Sequence, residues 1–186
     1  GLKITDNNLQ VGDKIIITGS IGDHGTALMA KREGMNISTD LKSDVALLTD
    51  IFEALKSDIN HGKVHAMKDP TRGGIAGALN HWASKSNVSI WIKEKKVPIK
   101  KKVNAICDML GLDPYNIANE GRALLAVNPN DADRILNKIR EVESGKKAQI
   151  LGEVKKENPK RVLLKTTVGG TRFVDMPLGE PIPRIC

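Results

Sequence analysis

A thiol closes this chain, on the last residue of Pro183-Arg184-Ile185-Cys186. It follows Met176-Pro177-Leu178-Gly179-Glu180-Pro181-Ile182-Pro183, whose prolines forbid helix and favour extended, polyproline-like backbone. Residues 176–186 therefore read as an arm reaching on the order of 30 Å, at roughly 3.1 Å per residue. The terminal carboxylate raises the thiol pKa and Arg184 opposes it, which leaves an ordinary cysteine with a minor nucleophilic thiolate fraction near neutrality. A reactive arm and a frayed end both fit these residues taken alone. The other cysteine, Cys107, sits among apolar neighbours in Val103–Leu110 and reads as a small buried hydrophobe. Two cysteines so spaced form neither a disulfide framework nor a metal-ligand pattern, and no metal site is expected.

Three internal constellations could act on such a thiol. Thr18-Gly19-Ser20-Ile21-Gly22-Asp23-His24-Gly25 lies between an Ile-rich strand and a helix running to Arg32 and stopping at Gly34. Strand, glycine loop and helix make a phosphate-loop arrangement, with Gly22, Asp23 and Gly25 as candidate contacts, although the Walker lysine is missing and a plain tight turn fits equally. The second, His65-Ala66-Met67-Lys68-Asp69-Pro70-Thr71-Arg72-Gly73-Gly74, precedes a helix from Ile75 to Trp82. Asp69 reads as its N-cap and Pro70 as its first residue. Gly73 and Gly74 in the first turn cost roughly 2 kcal/mol of helix propensity against alanine, which calls for close approach of a ligand or another backbone, with Arg72 and Lys68 at hand for negative charge. The third, Asn119-Glu120-Gly121-Arg122, stands before the strand Ala123–Val127. Carboxylates there are ordinarily exposed, and act as general bases when partly buried.

The scaffold that must position these groups is a single domain: 186 residues with 40% apolar content can bury a real core. With 3% aromatics, that core rests on aliphatic residues, with Trp82, Trp91, Phe52 and Phe173 as large fillers. Strands are predicted at Lys14–Thr18, Val88–Ile92, Ala123–Val127, Ala148–Val154 and Arg161–Thr166, and helices at Ser43–Ile59 and Asp131–Val142. The longer helix would bury Val45, Leu48, Phe52, Leu55 and Ile59. Without regular βαβ alternation, an α+β or layered α/β domain is expected. Net charge is +7, with a lysine-dense stretch from Lys93 to Lys102, but the scarcity of aromatics argues against nucleic acid and for a solvated loop. No apolar run is long enough to span a membrane and no signal-peptide pattern is present, so a cytoplasmic protein is expected.

Taken in order, GDHG, MKDPTRGG, NEG, the Gly169-Gly170-Thr171-Arg172 turn and the terminal PRIC resemble the HypE family of hydrogenase maturation proteins along nearly the whole chain. DPTRGG is shared by the wider aminoimidazole ribonucleotide (AIR) synthetase-like, or PurM-like, group of ATP enzymes, whereas PRIC is specific. The resemblance implies a layered α/β/α C-terminal domain over residues 1–175, with a tail at 176–186. It implies that Cys186 accepts a carbamoyl group from the carbamoyltransferase HypF, that ATP-dependent dehydration turns it into a thiocyanate, and that the cyano group passes to iron on the HypC–HypD complex. Glu120 would take protons, His65 would polarise the carbonyl or relay a proton, and Arg72 with the helix start after Asp69 would hold phosphate. Family members carry a further N-terminal domain that supplies most ATP and Mg²⁺ ligands and forms a homodimer, so this chain is expected to be inactive alone. A non-catalytic interaction module, or a selenophosphate synthetase-like enzyme, are the alternatives.

Overall fold

In the computed structural model, residues 4–32 and 41–179 are described. Cys186, the end of the arm and Gly34 lie outside that range.

Seven strands form one sheet in the order β2-β4-β1-β5-β3-β6-β7. They are β1 (Lys14–Ile17), β2 (Val64–Lys68), β3 (Ser89–Lys93), β4 (Leu124–Val127), β5 (Gln149–Lys155), β6 (Val162–Lys165) and β7 (Thr171–Phe173). The helices are α1 (Asp23–Arg32), α2 (Thr49–Asn60), α3 (Gly74–Ser86), α4 (Lys101–Leu110) and α5 (Ala132–Glu141). All strand pairs are antiparallel except β3 with β6.

Strands β1 and β4 read as continuous apolar runs because both of their faces are covered. Ile15 and Ile17 of β1, with Leu124 and Ala126 of β4, pack toward Ile75, Leu79 and Trp82 of α3. Ile16, Leu125 and Val127, one residue out of phase, pack with Ile51 and Leu55 of α2 and Ile135 and Ile139 of α5. The period-two alternation of side chains thus divides each strand between two helical layers, and an α/β/α sandwich results. Helices α1 and α4 form a third apolar cluster that includes Cys107, buried as expected.

Several expectations need correction. The chain from 43 to 48 is not helical, and α2 begins at Thr49. Val45 is accordingly 67% exposed and Phe52 39% exposed, while Phe173 is 51% exposed, so Trp82 alone of the four aromatics is fully buried. Strand β2 was not expected, because its apolar pattern is broken by a histidine that is nonetheless buried. All three residues of β7 are exposed and leave no burial pattern to read. The lysine stretch ends β3, makes a 3-10 turn at Glu94–Lys96 and starts α4, with Lys95, Lys96, Lys101 and Lys102 exposed.

Candidate active site

Strand direction decides which motifs meet. Ile17 at the end of β1 is registered with Leu124 at the start of β4, and Lys68 at the end of β2 pairs with the same Leu124. The glycine loop after β1, the DPTRGG loop after β2 and the NEG loop before β4 therefore emerge side by side at one end of the sheet. Asn119, fully buried, ties them together. Its Oδ1 accepts from Gly22 N at 2.8 Å, while its own N and Nδ2 both donate to Pro70 O, at 3.2 and 3.3 Å.

The glycine loop is not a phosphate cradle. Gly22 N is engaged by Asn119, and Gly25 N donates to Ala118 O at 3.2 Å. Asp23 is fully buried: its Oδ2 accepts from Ser20 Oγ at 2.5 Å and lies 2.9 Å from Lys100 Nζ, and its Oδ1 has no hydrogen-bond partner. These residues lock the loop to the NEG segment and so support the site from behind.

The DPTRGG loop is exposed only in part: Pro70 and Gly74 are buried. Asp69 and Arg72 are exposed and precede α3, whose N-cap is Gly73, in the left-handed region at φ 65°; Asp69 is therefore not the cap. Gly74 follows at φ 59°, and a β-carbon there would lie 2.4 Å from Tyr115 O and 2.6 Å from Ile117 O. Another backbone, rather than a ligand, accounts for this glycine. Arg72 is exposed beside this loop, while the first turn of α3, Gly74 to Gly77, is buried, with Gly74 against the carbonyls of Tyr115 and Ile117. Among the described residues no group of three His, Cys, Asp or Glu side chains is placed to hold a metal ion, so no built site for Mg²⁺ is found there.

Glu120 is exposed beside that loop, on a backbone pinned from both sides. Its N donates to Asp44 Oδ1 at 3.1 Å. Gly121 packs so tightly that a β-carbon would fall 1.8 Å from Asp44 O. Arg122 donates from Nε to Ser20 O at 3.0 Å and from NH1 to Gly121 O at 2.9 Å. Asp44 lies in the stretch expected to be helical, and sequence reasoning missed it. The available signal was Ser43-Asp44 ahead of an apolar helix, which reads as ordinary helix-start chemistry.

His65 is not part of this cluster. It sits on β2 between Val64, paired with Val127, and Ala66, paired with Ala126, toward the opposite end of β4 from Glu120. There its Nδ1 hydrogen-bonds Asp13 Oδ2 at 2.8 Å, with both residues buried. Burial pushes the Asp13 carboxyl up, against the opposing pull of Gln10 N–H and His65.

The root of the arm, in contrast, lies at the motif end. Val174 is buried, and its carbonyl accepts from Asn80 Nδ2 of α3 at 2.8 Å. Pro177 Cγ then lies 2.9 Å from where a β-carbon on Gly73 would stand. Arg172, from the Gly169–Arg172 turn, stacks over Tyr115 with its guanidinium carbon 5.4 Å from the ring centroid, and reaches Asp113 Oδ2 at 3.2 Å.

A family model described as "AIR synthase related protein, C-terminal domain" matches residues 10–165. Among curated proteins, one from Methanocaldococcus jannaschii, named as a hydrogenase expression/formation protein, is 51% identical across 100% of this chain and 54% of its own length. The carbamoyl dehydratase HypE of Rhizobium leguminosarum bv. viciae is 42% identical across 100% of this chain and 53% of its own. The chain belongs to the AIR synthase related C-terminal domain family, in its HypE branch. It spans about half the length of the curated HypE relatives it matches. A solved HypE in complex with ATP superimposes with TM-score 0.89 at 34% identity, covering 96% of this chain and 54% of that one. A HypE–HypF complex superimposes with TM-score 0.88 at 37% identity, covering 94% and 56%. No helix of this chain, among the described residues, is long and apolar enough to cross a membrane.

Proposed function

We propose that this chain is the cysteine-carrying half of an ATP-dependent carbamoyl dehydratase of hydrogenase maturation. Cys186 takes a carbamoyl group from HypF, the thiocarbamate is dehydrated to a thiocyanate, and the cyano group is delivered to iron on HypC–HypD. The full-length protein works as a homodimer, with most ATP and Mg²⁺ contacts outside this chain. The observation that carries the reading is the anchorage of the arm: Pro177 packs against Gly73, at the sheet end where Glu120 and Arg72 lie. Nine residues follow Pro177, enough for about 28 Å of extended chain.

An amide oxygen is a poor leaving group, so the carbonyl oxygen of the thiocarbamate attacks the γ-phosphorus of ATP and ADP departs. Loss of one N–H proton gives an iminophosphate. Removal of the second lets the nitrogen lone pair close the C≡N bond as the C–O bond breaks and phosphate leaves. Glu120 takes a proton as general base, and Arg72 steadies phosphate oxygens. His65 has no part in these steps, since it is buried against Asp13 at the far end of the sheet.

The test uses the full-length protein with HypF, carbamoyl phosphate and ATP, followed by mass spectrometry of the C-terminal peptide. Wild type gains a carbamoyl group on Cys186 and then loses the elements of water; Glu120→Gln keeps the carbamoyl group and stops. Normal dehydration by Glu120→Gln would remove Glu120 from the mechanism, and absence of any adduct on wild-type Cys186 would remove the carrier role.

A further inference from the structure

We infer that Asp44 is a positioning residue for Glu120, an inference that rests on the assignment of Glu120 as the base. The side chain of Asp44 is completely buried although it is ionisable and stands in a stretch of irregular backbone. Burying a carboxylate is costly unless hydrogen bonds and charge compensate. Here the compensation is incomplete: Oδ1 accepts from Glu120 N, while Oδ2 makes no hydrogen bond and lies 3.5 Å from Arg122 Nε. Burial pushes the Asp44 carboxyl up, partly offset by the Glu120 N–H and the Arg122 charge. Its Oδ1 is spent on the backbone of the proposed base.

The rest of the geometry makes Asp44 one side of a clamp. Ser43 Oγ lies 2.8 Å from His24 Nδ1 and accepts from Val45 N at 3.2 Å, which ties the segment to α1. The carbonyl of Asp44 occupies the space a side chain on Gly121 would need. Asn119 is held on the other side by Pro70 and Gly22. Residues 119, 121 and 122 are thus fixed through their backbones or buried side chains, and Glu120 alone projects into solvent. The cluster is balanced in charge, Asp23 and Asp44 against Lys100 and Arg122, so it offers no excess negative charge to a cation. Its effect is to hold the Glu120 backbone before the arm arrives, and a displacement near 1 Å costs a base on the order of a hundredfold in rate.

Asp44→Ala and Asp44→Asn in the full-length protein test this, with Glu120→Gln measured alongside. Asp44→Ala lowers kcat for dehydration on the order of a hundredfold, with the KM for ATP and carbamoylation of Cys186 unchanged. Asp44→Asn recovers most of the rate, because its Oδ1 still accepts from Glu120 N, and added formate partly rescues Asp44→Ala. If Asp44→Ala does not fold by circular dichroism, Asp44→Ser carries the same expectation, since its shorter hydroxyl does not reach Glu120 N. Wild-type kcat in the folded Ala or Ser variant overturns the inference. So does an equal loss in Asp44→Asn and Asp44→Ala, because the acceptor would then not be what matters. If Glu120→Gln itself retains dehydration, the assignment of the base has failed, and that result is separable from the behaviour of Asp44.

Discussion

Replacing Gly74 with alanine separates two opposite expectations. By helix propensity alone, alanine in the first turn of α3 would stabilise the protein by about 1 kcal/mol. In the folded chain Gly74 has φ 59°, and its missing β-carbon would lie 2.4 Å from Tyr115 O, 2.6 Å from Ile117 O and 2.8 Å from the carbonyl carbon of Asn116. The left-handed conformation costs an L-residue about 1–2 kcal/mol. Displacing packed backbone costs up to about 3 kcal/mol more, and these atoms cannot swing aside as a side chain would. After the propensity gain is set against them, about 3 kcal/mol of destabilisation remains, a fall in Tm on the order of 6–12 °C for a domain of this size. Gly62→Ala is the internal control, because φ there is 67° but nothing lies within 4 Å. It carries the strain without the clash, and its net effect stays within about 1 kcal/mol. Urea denaturation of the three proteins measures both quantities. A Gly74→Ala protein as stable as wild type, or no worse than Gly62→Ala, would refute the claim that the 115–117 backbone dictates this glycine.

Two other predictions follow from the charged groups. His65→Ala lowers stability by about 1–3 kcal/mol, since the buried Asp13 carboxyl keeps the Gln10 N–H but loses its hydrogen bond to the imidazole, while kcat per folded molecule is unchanged; a specific loss of dehydration in a stably folded variant would restore His65 to the mechanism. Asp6 tests pH linkage: burial acts to raise its carboxyl, but Lys68, Lys85 and Trp82 outweigh it and hold the pKa down at about 2. Because the folded value is depressed, its contribution is complete above the unfolded carboxylate range, near pH 4, and is lost as pH falls toward 2. Asp6→Asn therefore costs about 1 kcal/mol at pH 7 after allowance for solvent screening. The gap between the two proteins narrows as pH falls from about 4 through 2 in denaturation curves, and a constant gap would show that the loss is not electrostatic.

Much of the architecture was legible one element at a time. The Ile-rich β1 and the apolar β4 and β6 announce their burial through unbroken apolar runs, and the amphipathic α5 through its helical period. The reading failed where tertiary contact overrides that period. At 43–48, Asp44 turns inward toward Glu120 and Arg122, so the first turn of the expected helix stays unwound and Val45 and Phe52 lose their cover. At β2, His65 breaks the apolar pattern yet is buried because Asp13 meets it.

The candidate site divides in the same way. Sequence by itself determined which chemical groups exist: a terminal thiol, a carboxylate ahead of a strand, and an arginine and glycines ahead of a helix. It also pointed to an aliphatic core and to buried apolar strands, since apolar runs are a local property of the chain. Only the tertiary structure decided which groups meet. The register of Ile17 and Lys68 with Leu124 joins residues far apart in the chain, and no local spacing encodes that pairing. It brings Glu120 and Arg72 to the end of the sheet where the arm is rooted, and it leaves His65 toward the other.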